Sequence, residues 1–127
     1  MRFSEHELTA ALHGAAKSML KARRGQDVDE VFASMDKMKR FRLLEGIGAQ
    51  VLPVLVALPD VDVAPGARPS YDDAVVTEVV TGLLDEGTGR LKRAVIVKTR
   101  TALVQRALAH VPPRLDPDAL LHGEPGE

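Results

Sequence analysis

Between residues 75 and 84 aliphatic side chains come in pairs at every fourth position: Val75 and Val76, Val79 and Val80, Leu83 and Leu84. A repeat of four matches the turn of an α-helix rather than the two-residue alternation of a strand, and an aliphatic stripe this wide has to be covered. Ser70 is the expected cap of this helix, Asp72 and Asp73 suit the positive end of its dipole, and Asp85-Glu86-Gly87-Thr88-Gly89 ends it. This segment sets the fold class as mainly α.

The same reasoning extends in both directions. Ser4-Glu5-His6-Glu7 is a capping box, since the Ser4 hydroxyl can accept from the Glu7 amide while the Glu7 carboxylate reaches back to the Ser4 amide. Leu8, Leu12, Ala15, Ala16 and Met19 then repeat at helical spacing, and Lys21, Arg23 and Arg24 before Gly25 suit the negative end. Asp27, with Glu30 three residues on, caps a short second helix through Ser34. In the next element Phe41, Leu44, Ile47, Gly48, Val51 and Leu55 share one stripe. Pro53 lacks the amide that would bond to Ala49, so this helix is expected to kink or restart, with a short buried strand at 54–58 as the alternative. Residues 59–69, with three prolines and a glycine, read as a loop.

Two readings stay open for the segment after Gly89. Leu103, Val104, Ala107, Leu108 and Val111 form a helical stripe, but Ala94, Val95, Ile96 and Val97 scatter around the wheel. One reading is a helix buried on most sides in its first half. The other is a strand over Arg93–Lys98 followed by a helix, which would resemble a winged helix-turn-helix in outline. Asp116, Pro117 and Gly123 frame a short helix near Ala119–His122. The expected architecture is one helical domain over 1–123, with four to five helices around a central Pro53-kinked element and the 71–84 helix against it, and a mobile tail at 124–127.

A chain of 127 residues fits one domain and buries roughly two-thirds of the surface its unfolded form exposes. Cysteine is absent, which removes disulfides, thiol nucleophiles and thiolate metal sites together and suits a reducing compartment. Two acids near the N-terminus argue against a signal peptide, and Val51–Leu58 is far shorter than the about 20 apolar residues of a spanning helix. The expected location is the cytoplasm, with no membrane partner.

Charge is dealt out unevenly along the chain. Residues 60–86 carry seven acids and one base, and residues 87–114 carry seven bases and no acid, so a near-neutral total of −1 conceals a bipolar molecule. Such a layout serves either internal neutralisation or a basic surface for a partner. The candidate binding residues are Arg90, Lys92, Arg93, Lys98, Arg100 and Arg106, with Lys37, Lys39, Arg40 and Arg42 as a second cluster. Against a polyanion stand the pI near 6.4 and the scarcity of stacking rings, with three Phe, one Tyr and no Trp.

Catalytic patterns are not found. His6-Glu7-Leu8-Thr9-Ala10 opens like a zinc-protease motif, but Ala10 stands where the second imidazole belongs. His6 and His13 are seven residues apart, about 10 Å along a helix, too far to share a metal. No serine lies in a Gly-x-Ser-x-Gly elbow, and the carboxylate pairs sit at helix starts or in the loop. Gly87-Thr88-Gly89 lacks the Lys-Ser/Thr of a phosphate loop. No catalytic residue, metal or cofactor is assigned. The sequence therefore reads as a non-catalytic helical interaction or adaptor module, with assembly as a homodimer through residual aliphatic surface. The alternative is a nucleic-acid-binding regulator that uses the basic 90–106 segment.

Overall fold

The computed structural model describes residues 1–20 and 25–114. Among these residues five helices follow one another: α1 (Glu5–Ser18), α2 (Val28–Ser34), α3 (Lys37–Ala57), α4 (Asp73–Leu83) and α5 (Arg90–Ala109). The four longer ones form a closed ring of neighbours in which α1 packs on α3, α3 on α4, α4 on α5 and α5 back on α1; α3 and α5 also touch across the middle. The short α2 lies against α1.

The helix ends follow the sequence signals closely at the N-terminus. The Ser4 hydroxyl accepts from the Glu7 amide at 3.1 Å, and the Glu7 carboxylate accepts from the Ser4 amide at 2.9 Å. Asp27 caps α2 through the Asp29 amide. For α4 the cap lies two residues later than Ser70: Asp72 is the capping residue, and only Asp73 of the two aspartates falls in the first turn. Tyr71 accounts for the delay, because its hydroxyl donates to the Pro59 carbonyl at 2.8 Å and its own carbonyl accepts from Gln105, which fixes this stretch before the helix begins.

Both strand alternatives give way to helix. Residues 54–57 are the last turn of α3, closed by the Leu58 amide on the Val54 and Leu55 carbonyls. Residues 93–98 lie inside α5. A strand at either place would need a neighbouring strand to take its backbone groups, whereas a helix satisfies them within the segment. α3 does not restart at Pro53 but runs through it. Pro53 and Ala49 are both exposed, so the carbonyl that Pro53 deprives of a donor faces water.

The core is aliphatic and lies in the second halves of the two long helices. α3 contributes Ile47, Val51, Val54 and Leu55, α5 contributes Leu103, Val104, Ala107 and Leu108, and Val76 and Val80 come from α4. Ala11, Ala15 and Ala16 of α1 are fully buried, which lets its backbone come close. The closest approach is at Gly14, where a Cβ would stand 2.0 Å from Cγ of His110; only glycine lets the end of α5 rest there. Phe41, grouped with the core by spacing, is 60% exposed, because the elements that cover α3 leave its first half without a buried residue.

Arg114 fastens the end of this stretch. Its guanidinium donates to the nearly buried Glu7 carboxylate at 2.8 Å and to the Arg2 carbonyl at 3.1 Å. Its backbone exchanges two 2.7 Å hydrogen bonds with the 59–72 loop, one with Ala67 and one with Gly66, whose positive φ of 82° is open to glycine. The terminal amine of Met1 closes the other side on the carbonyls of Val56 and Leu58. The short helix expected at 119–122 and the tail at 124–127 lie outside the described residues.

Candidate functional site

Three surfaces on this frame gather functional side chains. The first is a groove of about 830 Å³ along the α4–α5 seam, lined by Thr77, Thr81 and Thr101 in its middle and by Arg90, Arg93 and Lys98 toward the start of α5. Three of the six basic candidates on α5 therefore converge, while Lys92, Arg100 and Arg106 do not line the groove. Most of its polar groups are already engaged. Arg93 donates to the carbonyls of Thr81 at 3.3 Å and Asp85 at 3.5 Å, Thr81 donates to Thr77, and Gln105 donates to Asp73.

Arg93 also decides how the acidic and basic halves of the chain meet. Among the described residues, no ion pair joins an acid of 60–86 to a base of 87–114. The contact runs through backbone instead: the guanidinium covers the carbonyls that end α4, where the dipole is negative. Arg90, Lys92, Lys98 and Arg106 form no ion pair or hydrogen bond through their side chains among the described residues, and the Nε of Arg100 is buried without a partner.

The second surface is a hollow of about 550 Å³ where α1, α2 and the end of α5 meet, with His13, Lys17, Ser18, Asp29 and His110 around it. Each of these groups already has a partner, and none of those partners links a nucleophile to a base. Asp29 pairs with Lys17 at 2.8 Å, Lys17 also lies over the ring of Phe32, and His13 sets its edge against that ring. Ser18 donates to the Ala15 carbonyl, and Nδ1 of His110 lies 2.8 Å from the Arg106 carbonyl. A hydrolytic relay needs a nucleophile bonded to a base and that base bonded to an orienting group; no such pair is formed here. Among the described residues no three His, Asp or Glu side chains converge on a metal position.

The third surface is the outer face of α3. Met38 is 56% exposed, Phe41 60% and Val56 64%, and with Ala49, Leu52 and Pro53 they follow helical spacing down the side opposite Ile47, Val51 and Val54. Phe41, Leu44, Gly48 and Leu52 line a shallow apolar groove against Leu12 of α1, and Met38 and Phe41 continue it toward the start of the helix. Lys37, Lys39 and Arg42 make no ion pair or side-chain hydrogen bond among the described residues, and Arg40 donates to the Ala33 carbonyl at the end of α2. None of the grooves described is lined by both basic clusters. Part of the sequence signal for this face was present: Met38, Leu52 and Val56 put apolar side chains on the side of α3 away from the core stripe, where Arg42 and Glu45 also lie.

Compared with known protein families, with curated proteins and with solved structures, the chain matches none. No helix among the described residues is long and apolar enough to cross a membrane.

Proposed function

We propose that this chain is a protein-interaction module that docks through the outer face of α3. The observation that carries this reading is the set of exposed apolar side chains from Met38 to Val56 along one side of a surface helix, interrupted at Glu45, with two of them above half exposure at its start and one at its end. Contiguous apolar surface of this kind is uncommon on a protein that works alone, and an aromatic ring beside an aliphatic groove is the usual anchor of a binding patch. The basic rim of Lys37, Lys39 and Arg42 adds orientation, and the proposed setting is the cytoplasm, which a cysteine-free chain suits.

Replacing Phe41 and Val56 by Asp tests the reading in a pull-down from native extract with nuclease present. Loss of stoichiometric association, with the helical signal and unfolding midpoint kept, is the expected outcome. Unchanged association would sink it.

A second reading rests on a different observation: α5 carries bases and no acid, and four of its cations have no partner among the described residues. In that reading Arg90, Lys92 and Lys98 contact a nucleic-acid backbone. It ranks second because α5 has no aromatic side chain for stacking and the whole chain has a pI near 6.4. Duplex binding that weakens steeply with salt, and weakens further in Lys92→Glu/Lys98→Glu, is its expected signature; binding indifferent to salt would remove it.

A further inference from the structure

We infer that the groove along the α4–α5 seam binds a small organic anion, a carboxylate or a phosphate monoester on an aliphatic body, with its head at Lys98 and Thr101. The groove shares no lining residue with the α3 face, so this site is independent of the docking reading above.

Its floor is a seam closed at both ends and loose in the middle. Residues four apart lie along one ridge of a helix, and the α5 ridge from Arg93 to Gln105 runs antiparallel against the α4 ridge from Asp73 to Thr81. At one end Gln105 donates to the Asp73 carboxylate at 2.9 Å, and at the other Arg93 donates to the Thr81 carbonyl at 3.3 Å. Between them the hydroxyls of Thr77 and Thr101 stand 3.4 Å apart, beyond the about 2.7–2.8 Å usual for a pair of hydroxyls. Thr101 is only 8% exposed, and its side chain has no other hydrogen bond among the described residues. Thr81 and Thr99, by contrast, each donate to a carbonyl one turn back. Two hydroxyls that share one long bond leave a proton unspent on the floor of the groove. A buried donor in that state gains from an acceptor.

The rim supplies the charge. Arg90, Ala94 and Lys98 follow one another at four-residue spacing along α5, and neither cation has an ion pair or side-chain hydrogen bond among the described residues. Lys98 stands three residues before Thr101, the spacing that makes side chains neighbours on a helix, so its ammonium and the spare hydroxyl proton can serve one acceptor. Among the described residues Asp73 is the one acid in the lining, and it is already bonded to Gln105 at the far end. The groove therefore has donors and positive charge left to offer. Between Lys98 and the pair Arg90 and Arg93 lie roughly 8–12 Å of helix, where α5 contributes Ala94 and Val97 to the lining. That stretch suits an aliphatic body, and a volume of about 830 Å³ is ordinary for a small-molecule site.

Calorimetry of the full chain with octanoate and with octyl phosphate tests this. Saturable one-site binding is expected, and the tighter of the two ligands identifies the head group. Thr101→Val, which removes the hydroxyl and keeps the shape, and Lys98→Gln should each weaken binding at least tenfold, while Thr101→Ser should retain it. Lys98 is exposed, so Lys98→Gln reads the site even where Thr101→Val lowers the unfolding midpoint. Ala94→Phe should fill the apolar stretch and abolish binding, and Lys92→Gln, outside the groove, should leave it unchanged. Failure of both anions to bind, equal binding of octylammonium, inorganic phosphate held as tightly as octyl phosphate, or binding that survives Thr101→Val and Lys98→Gln overturns the inference. So does displacement of the bound anion by duplex DNA with equal losses in Lys92→Gln and Lys98→Gln, which would assign these cations to an extended polyanion.

Discussion

The two long helices are built alike and treated differently by the fold. Each buries side chains only in its second half, from Ile47 onward in α3 and from Thr101 onward in α5, and each begins with several bases and no acid. The first half of α5 has an antiparallel neighbour, and Arg93 spends its donors on the end of α4. The first half of α3 has a flank of α1 and the end of α2 beside it, while Met38, Phe41, Lys37 and Lys39 face outward. An identical problem of charge and cover is thus answered within the chain at one site and open to a partner at the other.

The largest effects should come from the buried halves. Leu55→Ala removes a fully buried side chain between helices and is expected to cost about 2–5 kcal/mol in denaturant unfolding, whereas Leu91→Ala, in the first turn of α5 where Leu91 is 85% exposed, should stay within about 0.5 kcal/mol. Equal losses would mean that the first half of α5 is covered in solution. Gly14→Ala comes next, at about 1–3 kcal/mol, because the new methyl meets the Cβ and ring of His110; adding His110→Gly should return most of the loss.

The first halves separate by sign. Arg93→Ala uncovers the end of α4 and should destabilise by about 1 kcal/mol. Lys37→Ala/Lys39→Ala should instead leave stability unchanged or raise it by about 0.3–1 kcal/mol, since these charges oppose the dipole. A loss there as large as that of Arg93 would break the contrast.

The smallest effect is alkaline. The Tyr71 hydroxyl has a raised pKa, first through burial and then through nearby Asp60, with Arg114 acting in the opposite direction. The folded chain therefore holds this proton to higher pH than the unfolded chain does. The stability linked to it is complete below the unfolded value of about 10 and is lost as pH rises through the folded one. Tyr71→Phe should flatten that alkaline fall in the unfolding midpoint, at the expense of the hydrogen bond to Pro59.

Elements whose signals are local were legible in the sequence. The capping box at Ser4 and Glu7, the Asp27 cap and the paired aliphatics of α4 each act within one or two turns, so their geometry follows from residue type and spacing. Where the outcome depended on distant residues, spacing was insufficient. Residues 93–98 suit a strand by composition and form helix, since among the described residues no strand stands beside them to take their backbone groups. The start of α4 moved to Asp72 because Tyr71 is held by Pro59 and Gln105. The basic residues were found by counting, but that Arg90, Arg93 and Lys98 share a groove which Lys92 and Arg100 do not line depends on which side of α5 meets α4. Glu7 was readable as a cap, and its second bond to Arg114 was not, since 107 residues separate them.

By itself, then, the sequence determined the helices, the largely aliphatic nature of the core and the segregation of charge, because those depend on chemistry within a turn or on composition. Only the tertiary structure decided which face of each helix is covered: α3 carries apolar side chains on more than one side of its wheel, interspersed with Lys39, Arg42, Glu45 and Gln50, and burial is a property of neighbours rather than of spacing. For the same reason Phe41 lies on the surface with Leu55 in the core, although the two share one stripe of the same helix.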